Sequence, residues 1–178
     1  MKKIILSVLF IVTVFGAAFS QDGRFSGGLE LGLPVGNFSD IANIGFGASG
    51  RYEAPIQDKL NWTGTIGFLS FGGKSISGFS YGSSTIIPIQ GGIKYYLTES
   101  FNGFYVGGEL GFSIATFSVP SFNTGFGTVG GGSTSATRFS IAPGAGYHLG
   151  NLDFSARFQV VSDLNYFNIR AAYVLGGK

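Results

Sequence analysis

The chain contains no cysteine, one histidine, one methionine and one tryptophan among 178 residues. Without cysteine there are no disulfides, no thiolate metal ligands and no thiol nucleophile. Charge is scarce as well. Asp, Glu, Lys and Arg together make up 11% of the residues, less than half the roughly 25% usual in soluble domains. A run apolar and long enough for a membrane-spanning helix is also missing. The longest, Ile4 to Phe15, falls short of the roughly 20 residues such a helix needs.

That run follows Lys2 and Lys3 and precedes Gly16-Ala17-Ala18-Phe19-Ser20. A charged n-region, an apolar h-region and a small-residue segment, in that order, make an export signal. Residues 1–20 are expected to be a cleaved signal peptide, with Ala18 and Ser20 at the small positions and Gln21 the first mature residue. Residues 21–178 are expected to form one domain. Removing Lys2 and Lys3 from the 11 basic residues leaves 9 against 9 acidic ones. A chain so balanced offers no basic footprint for nucleic acid.

What the chain has in quantity is glycine, 31 residues, and aromatics, 16%. These are arranged with a period of two. In Leu152-Asp-Phe-Ser-Ala-Arg-Phe-Gln-Val160 every odd member of the run is apolar and every even one polar. A strand sends successive side chains to opposite faces, so this is a strand with one apolar and one polar side. Eight segments share the pattern, at about 24–33, 44–54, 60–71, 86–97, 103–114, 138–149, 152–161 and 166–175. Their apolar faces carry no charge. The opposite faces hold Glu30, Arg51, Glu53, Lys94, Glu109, Arg138, His148, Asp153, Arg157 and Arg170 among Gly, Ser, Thr, Asn and Gln.

Which face is inside decides the class. With the apolar face inside, the chain would be a soluble ligand-binding barrel whose exterior, mostly Gly, Ser and Thr, suits water poorly. With the apolar face outside it needs lipid, where a charge costs about 2–4 kcal/mol at the midplane. The complete absence of charge from that face selects the second arrangement. The expected fold is an all-β, eight-stranded, antiparallel up-and-down transmembrane β-barrel. Connections after even strands are short (55–59, 98–102, 150–151) and those after the first three odd strands long (34–43, 72–85, 115–137), while 162–165 is short. Short turns belong on the periplasmic side and long loops outside. The outward residue nearest the periplasmic end of each strand is then aromatic: Phe25, Tyr52, Trp62, Tyr95, Phe104, Tyr147, Phe154 and Tyr173. Interfacial girdles of this kind flank membrane barrels. Phe46, Phe68, Phe112, Phe139, Phe158 and Phe167 make a second ring at the outer rim.

With these features the chain resembles the small eight-stranded outer-membrane β-barrel family, the OmpA/OmpX-type barrels. The segments that carry the resemblance are Gly-Leu-Pro-Val-Gly-Asn-Phe-Ser-Asp (32–40), Ile-Lys-Tyr-Tyr-Leu (93–97), Tyr-Val-Gly-Gly-Glu-Leu-Gly (105–111) and Ala-Pro-Gly-Ala-Gly-Tyr (142–147). The resemblance implies a place in the bacterial outer membrane, lipid as the surrounding partner, and the barrel-assembly machinery and periplasmic chaperones as partners during biogenesis. Members generally end on an aromatic residue, whereas here Tyr173 is followed by Val-Leu-Gly-Gly-Lys. No separate periplasmic domain is expected. Pro143 lacks a donor in mid-strand, which predicts a bulge there.

Motifs with chemical meanings elsewhere read differently here. Gly45-Phe-Gly-Ala-Ser-Gly50 and Gly125-Phe-Gly-Thr-Val-Gly130 match G-x-G-x-x-G, but that fingerprint needs a following helix, and nothing helical is expected after export. Gly78-Phe-Ser-Tyr-Gly82 has nucleophile-elbow spacing, but Ser80 falls in an outer loop and His148 at the periplasmic end. Asn37-Phe-Ser39 and Asn61-Trp-Thr63 match glycosylation sequons, and Asn61 is expected inside the barrel.

The inward charges Glu30, Arg51, Glu53, Lys94, Glu109, Arg138, Asp153, Arg157 and Arg170 form the one real constellation. Eight strands leave a lumen that side chains fill, and unpaired buried charge is costly. These residues are expected to pair as a plug centred on Glu30, Glu109 and Arg170. The alternative is an ion or small-solute path gated by one of the pairs. No catalytic residue, metal site or cofactor is expected, and the barrel is expected to be a monomer. The expected role is envelope structure or surface interaction through the outer loops. A narrow pore and a lipid-modifying enzyme are the alternatives.

Overall fold

A computed structural model describes residues 23–76, 79–98, 101–123 and 128–176. The expected export signal lies outside the described residues. The elements are β1 (Arg24–Pro34), α1 (Asn37–Ile41), β2 (Ala42–Gln57), β3 (Leu60–Gly73), β4 (Ser75–Ile76), β5 (Phe79–Ser80), β6 (Ser84–Tyr96), β7 (Gly103–Asn123), β8 (Thr128–Leu149), β9 (Leu152–Val161) and β10 (Tyr166–Leu175). Strands β4 and β5 pair only with each other. The remaining eight close into a barrel, β1 to β2, β3, β6, β7, β8, β9, β10 and back to β1. Every neighbouring pair is antiparallel, and the seam is shut by β1 on β10, from Phe25↔Leu175 to Pro34↔Tyr166.

The period-two alternation fixes which way each strand faces, because a slip of one residue would turn every side chain over. The result is inside-out relative to a soluble protein. Leu29 is 74% exposed and Phe46 68%, while Arg170 is 0% and Glu30 4% exposed. A band of exposed Leu, Ile, Val and Phe thus wraps a buried polar interior. The periplasmic turn between β8 and β9 shows local chemistry at work. It has two residues, and Gly150 at its first position takes φ +59, a conformation that side chains resist and a type II′ hairpin requires.

Four features differ from the sequence expectation. The ladder passes Pro143 without a bulge. Ile141↔Val160 and Gly144↔Arg157 stand in one register on either side, and the opposite pair Gly108↔Pro143 is regular. The strand gives up one bond rather than inserting a residue. Register shifts occur instead near the two ends of β2, at Ala42/Gly45 and Pro55/Gln57. A short helix, α1, interrupts the first outer connection. Most of the third outer connection, expected as loop, is strand, because β7 and β8 continue their ladder out to Asn123↔Thr128.

Candidate functional site: a ring of charges beneath an apolar cap

Inward positions of the strands converge on the barrel axis, and their side chains form three tiers. The middle tier is a closed ring of six alternating charges. Asp153 lies 3.9 Å from Arg51, whose Nη2 is 3.0 Å from Glu109 Oε1. Glu109 Oε2 accepts from Arg157 Nη1 at 2.5 Å, and Arg157 Nη2 donates to Glu30 Oε1 at 2.8 Å. Glu30 is 3.8 Å from Arg170 Nε, and Arg170 Nη1 returns to Asp153 Oδ1 at 3.4 Å. Five strands contribute. Neutral groups take up most of the other valences, and the buried Arg157 Nε is left without a hydrogen-bond partner. Thr65 and Thr63 donate to Glu109, Asn168 Nδ2 to Glu30 Oε2, and Arg170 Nε to Ser49 Oγ.

Toward the periplasm the ring continues as a tail. Lys94 Nζ bridges Asp153 Oδ2 at 2.7 Å and Glu53 Oε2 at 2.9 Å. It also sits 4.0 Å from the centre of the Tyr105 ring, a cation over a π face. Glu53 Oε1 accepts from Asn61, Tyr96 and Arg24 at 2.6, 2.8 and 2.9 Å. The inward glycines leave room for these groups. A Cβ on Gly144 would stand 2.7 Å from Arg157 Cγ and 2.6 Å from the Ala156 carbonyl.

Above the ring Gln90 and Gln159 exchange amide hydrogen bonds at 3.0 and 3.1 Å, and Gln90 also donates to Ser140. Then the interior turns apolar. Leu69, Phe71, Ile86, Ala115, Val161, Leu164 and Tyr166 form one buried cluster, closed from above by Phe38 of α1. Phe71 packs edge-on against Phe38 and Tyr166, centroids 5.0 and 5.3 Å apart. Its ring occupies the space where Cβ atoms of Gly32 and Gly45 would lie, at 2.7 and 2.5 Å. Among the described residues the tail, the ring, the glutamine pair and the cap thus follow one another along the lumen. A cavity beside Arg51, Lys94, Tyr105, Glu109, Ser155 and Arg157 measures about 20 Å³, enough for roughly one water.

Eight of the nine expected lumen charges lie in this interior. Arg138 does not join them. Its inward parity is as expected, but it sits above the ring at the outer rim, with its side chain 32% exposed, 3.6 Å from Asp163 and donating to the Ser162 carbonyl. Of the expected girdle, Phe25, Trp62, Tyr95, Phe104, Tyr147, Phe154 and Tyr173 stand exposed on the lipid face. Tyr52 lies on that face too but is only 7% exposed. The Phe25 and Trp62 rings, 4.6 and 5.2 Å away, cover it.

Arg24, Tyr96, Tyr105, Asn168 and the whole apolar cap join the interior in addition to the residues expected from sequence. Arg24 shares parity with Ser26 and Glu30, and Leu69 and Phe71 share parity with Thr63 and Thr65. Face could have been read for all of them, height could not.

The other motifs come apart in the fold. Gly45 to Gly50 run along β2 as strand, and part of the second glycine motif lies outside the described residues. Ser80 belongs to the outer ribbon of β4 and β5, while His148 sits at the periplasmic end of β8 with Nδ1 against the Phe101 carbonyl oxygen. The strands that separate them cannot bring them into contact. Asn61 is buried on Glu53. Among the described residues no group of three or more His, Cys, Asp or Glu is placed to hold a metal ion.

An uncharged apolar wall, two aromatic girdles and a buried ionic interior define an outer-membrane β-barrel. Its shape matches solved structures of that class. Ail, the attachment invasion locus protein of Yersinia pestis, solved in complex with the heparin analogue sucrose octasulfate, is 14% identical at a TM-score of 0.58, over 86% of this chain and 97% of that one. The N-terminal β-barrel domain of Pseudomonas aeruginosa OprF is 10% identical at 0.53, over 87% and 98%. Neisserial surface protein A is 12% identical at 0.50, over 88% and 97%. No protein-family model matches the sequence, and no curated protein matches it. The fold is that of the small eight-stranded outer-membrane barrels, as the resemblance implied.

Proposed function

We propose that this is a non-conducting, non-enzymatic outer-membrane barrel that works as a surface-interaction protein through its outer hairpin. The observation that carries this reading is the filled lumen. Every charge of the ring has an opposite partner within 4 Å, and the apolar cluster under α1 closes the outer mouth. A barrel plugged in this way has its outer surface left to work with. There β7 and β8 run 21 and 22 residues, about twice the 9–11 that cross a bilayer, so the hairpin stands well clear of the membrane. The cap also fills the place where a rim active site would be, which supports a non-enzymatic role. Lipid is the constant partner, and no cofactor is required.

The test has two arms. Refolded protein in planar bilayers is expected to show a heat-modifiable gel shift and no conductance. Discrete conductance that changes in Glu109→Gln would overturn the closed lumen. Cells displaying a variant with 118–133 replaced by a two-residue turn are expected to keep the folded barrel and lose adherence, measured both to each other and to glass, lipid and protein-coated surfaces. Unchanged adherence on all of them would overturn the hairpin's role.

A further inference from the structure

Two donors in the ring are left over, and they meet at one cavity. Arg157 commits Nη1 to Glu109 and Nη2 to Glu30 and Asn168, while its buried Nε has no hydrogen-bond partner. Ser155, its neighbour on the inward face of β9, is 6% exposed, and its hydroxyl has no partner either. Both side chains line the cavity of about 20 Å³ described above, together with Arg51, Lys94, Tyr105 and Glu109. Buried polar groups are nearly always satisfied, because leaving one unmet is costly. Two such groups at one small cavity point to a polar occupant between them.

The wall keeps that space clear. Gly107 and Gly144 stand opposite each other on β7 and β8, and both border the cavity. A Cβ on Gly107 would lie 2.6 Å from the Ile93 carbonyl oxygen, and one on Gly144 2.7 Å from Arg157 Cγ. The lining is also one-sided in charge. Three cations, Arg51, Lys94 and Arg157, face one carboxylate, Glu109. Both oxygens of Glu109 are engaged, Oε1 by Arg51, Thr63 and Thr65 and Oε2 by Arg157. The Tyr105 hydroxyl gives its hydrogen to Asp153. Arg51 Nη1 is 3.9 Å from Asp153, too far for a hydrogen bond. Donors are therefore in excess here and acceptors are short. A water must place hydrogens of its own, whereas an anion accepts only.

We propose that this cavity binds one small monovalent anion, chloride under ordinary conditions, held by Arg157 Nε and Ser155 Oγ beside the Arg51 and Lys94 cations. The charge count of the interior agrees. Arg24, Arg51, Lys94, Arg157 and Arg170 are five basic side chains, and Glu30, Glu53, Glu109 and Asp153 are four acidic ones. One bound anion evens them. A cavity of this volume admits a body of about water size, so a single atom fits and a polyatomic anion does not. Removing chloride from water is costly, and the three cations of the lining offset that cost. The ion joins β2, β6 and β9 through Arg51, Lys94 and the Ser155–Arg157 pair. It is a structural ion beneath the glutamine pair and the cap, and the outer hairpin takes no part in holding it.

The test refolds the barrel into lipid vesicles and follows urea unfolding by Trp62 emission, with chloride exchanged for gluconate at fixed ionic strength. Gluconate is too large for the cavity. A ligand that binds only the folded barrel lowers the unfolding equilibrium constant by a factor that grows with its concentration, and the change from gluconate to chloride is expected to be at least about fivefold. Ser155→Ala removes one donor and leaves every charge in place. It is expected to give the same gel shift as wild type and to reduce the chloride effect to less than about twofold. Long-wavelength diffraction from crystals grown in chloride is expected to show an anomalous peak between Arg157 Nε and Ser155 Oγ. Equal stability in the two salts, a chloride effect unchanged in Ser155→Ala, or density in the cavity with no anomalous signal, which marks a water, would each overturn the site.

Discussion

Arg157 is the side chain whose loss tests the ring most directly. Its guanidinium donates to Glu109 at 2.5 Å, Glu30 at 2.8 Å and Asn168 at 2.9 Å, and it links two carboxylates that are 7% and 4% exposed. Arg157→Gln leaves both anions buried with weakened compensation. Glu109 keeps Arg51 and two threonines, and Glu30 keeps Asn168 and a more distant Arg170. Breaking one partner of a buried pair costs about 3–5 kcal/mol. With a denaturant slope of about 2 kcal/mol/M in urea, the unfolding midpoint should fall by roughly 1.5–2.5 M. Equilibrium unfolding in lipid vesicles reads this directly, because Trp62, the sole tryptophan, lies in the periplasmic girdle and its emission reports insertion. The companion variant Glu30→Gln/Arg157→Met removes one charge of each sign and leaves Arg51 with Glu109 and Arg170 with Asp153, so it should recover most of the loss, since replacing a buried ion pair by neutral groups of similar size is often neutral. A single variant that loses less than about 1 kcal/mol, or a double variant no better than the single one, would refute the account of the ring as a desolvated, mutually dependent network.

Three other outcomes follow from the same geometry. Phe71→Ala should cost about 3–5 kcal/mol in unfolding experiments through the cavity it leaves in the cap, yet planar bilayers should stay silent because the ring still blocks the lumen. Leu29→Lys, on the lipid face in mid-strand, should cost about 2–4 kcal/mol, measured as the free energy of folding into vesicles. Arg138→Ala should change stability by less than about 1 kcal/mol, because its pair with Asp163 is open to solvent at the rim. A loss as large as that of Arg157→Gln would mean that Arg138 is part of the plug after all.

The alternation of side chains carried the barrel, its strand number and its facing, because a lipid wall penalises any charge that turns outward. Parity assigns a residue to a face, but it says nothing of height along the axis. Arg138 and Arg157 both face inward, and only the tilt and register of the closed sheet set one at the rim and the other in the ring. The cap escaped for a related reason. Above the bilayer the inner face no longer needs to be polar, so Leu69, Phe71, Ile86, Val161 and Tyr166 break an inside-polar rule that holds only lower down. The outer hairpin was illegible because Gly, Ser and Thr at 128–137 have no apolar period, and those residues are strand because the barrel ladder below carries on through them. Pro143 was misjudged since a missing donor leads to a bulge only where the register is free to shift, and here strands on both sides hold it.

The ring also constrains the order in which this molecule is assembled. Its six charges come from five strands, and the contacts of Arg170 with Glu30 and of Arg157 with Glu30 join residues near opposite ends of the chain. No single hairpin contains a complete set of partners. A hairpin entering lipid alone would carry Arg51 or Glu109 into hydrocarbon uncompensated, at about 2–4 kcal/mol for a basic side chain and less for an acidic one. Insertion in pieces is therefore penalised at every intermediate stage. The interior has to stay wet until β1 meets β10, so that shutting the seam, completing the circuit of charges and expelling water from the lumen become one concerted event.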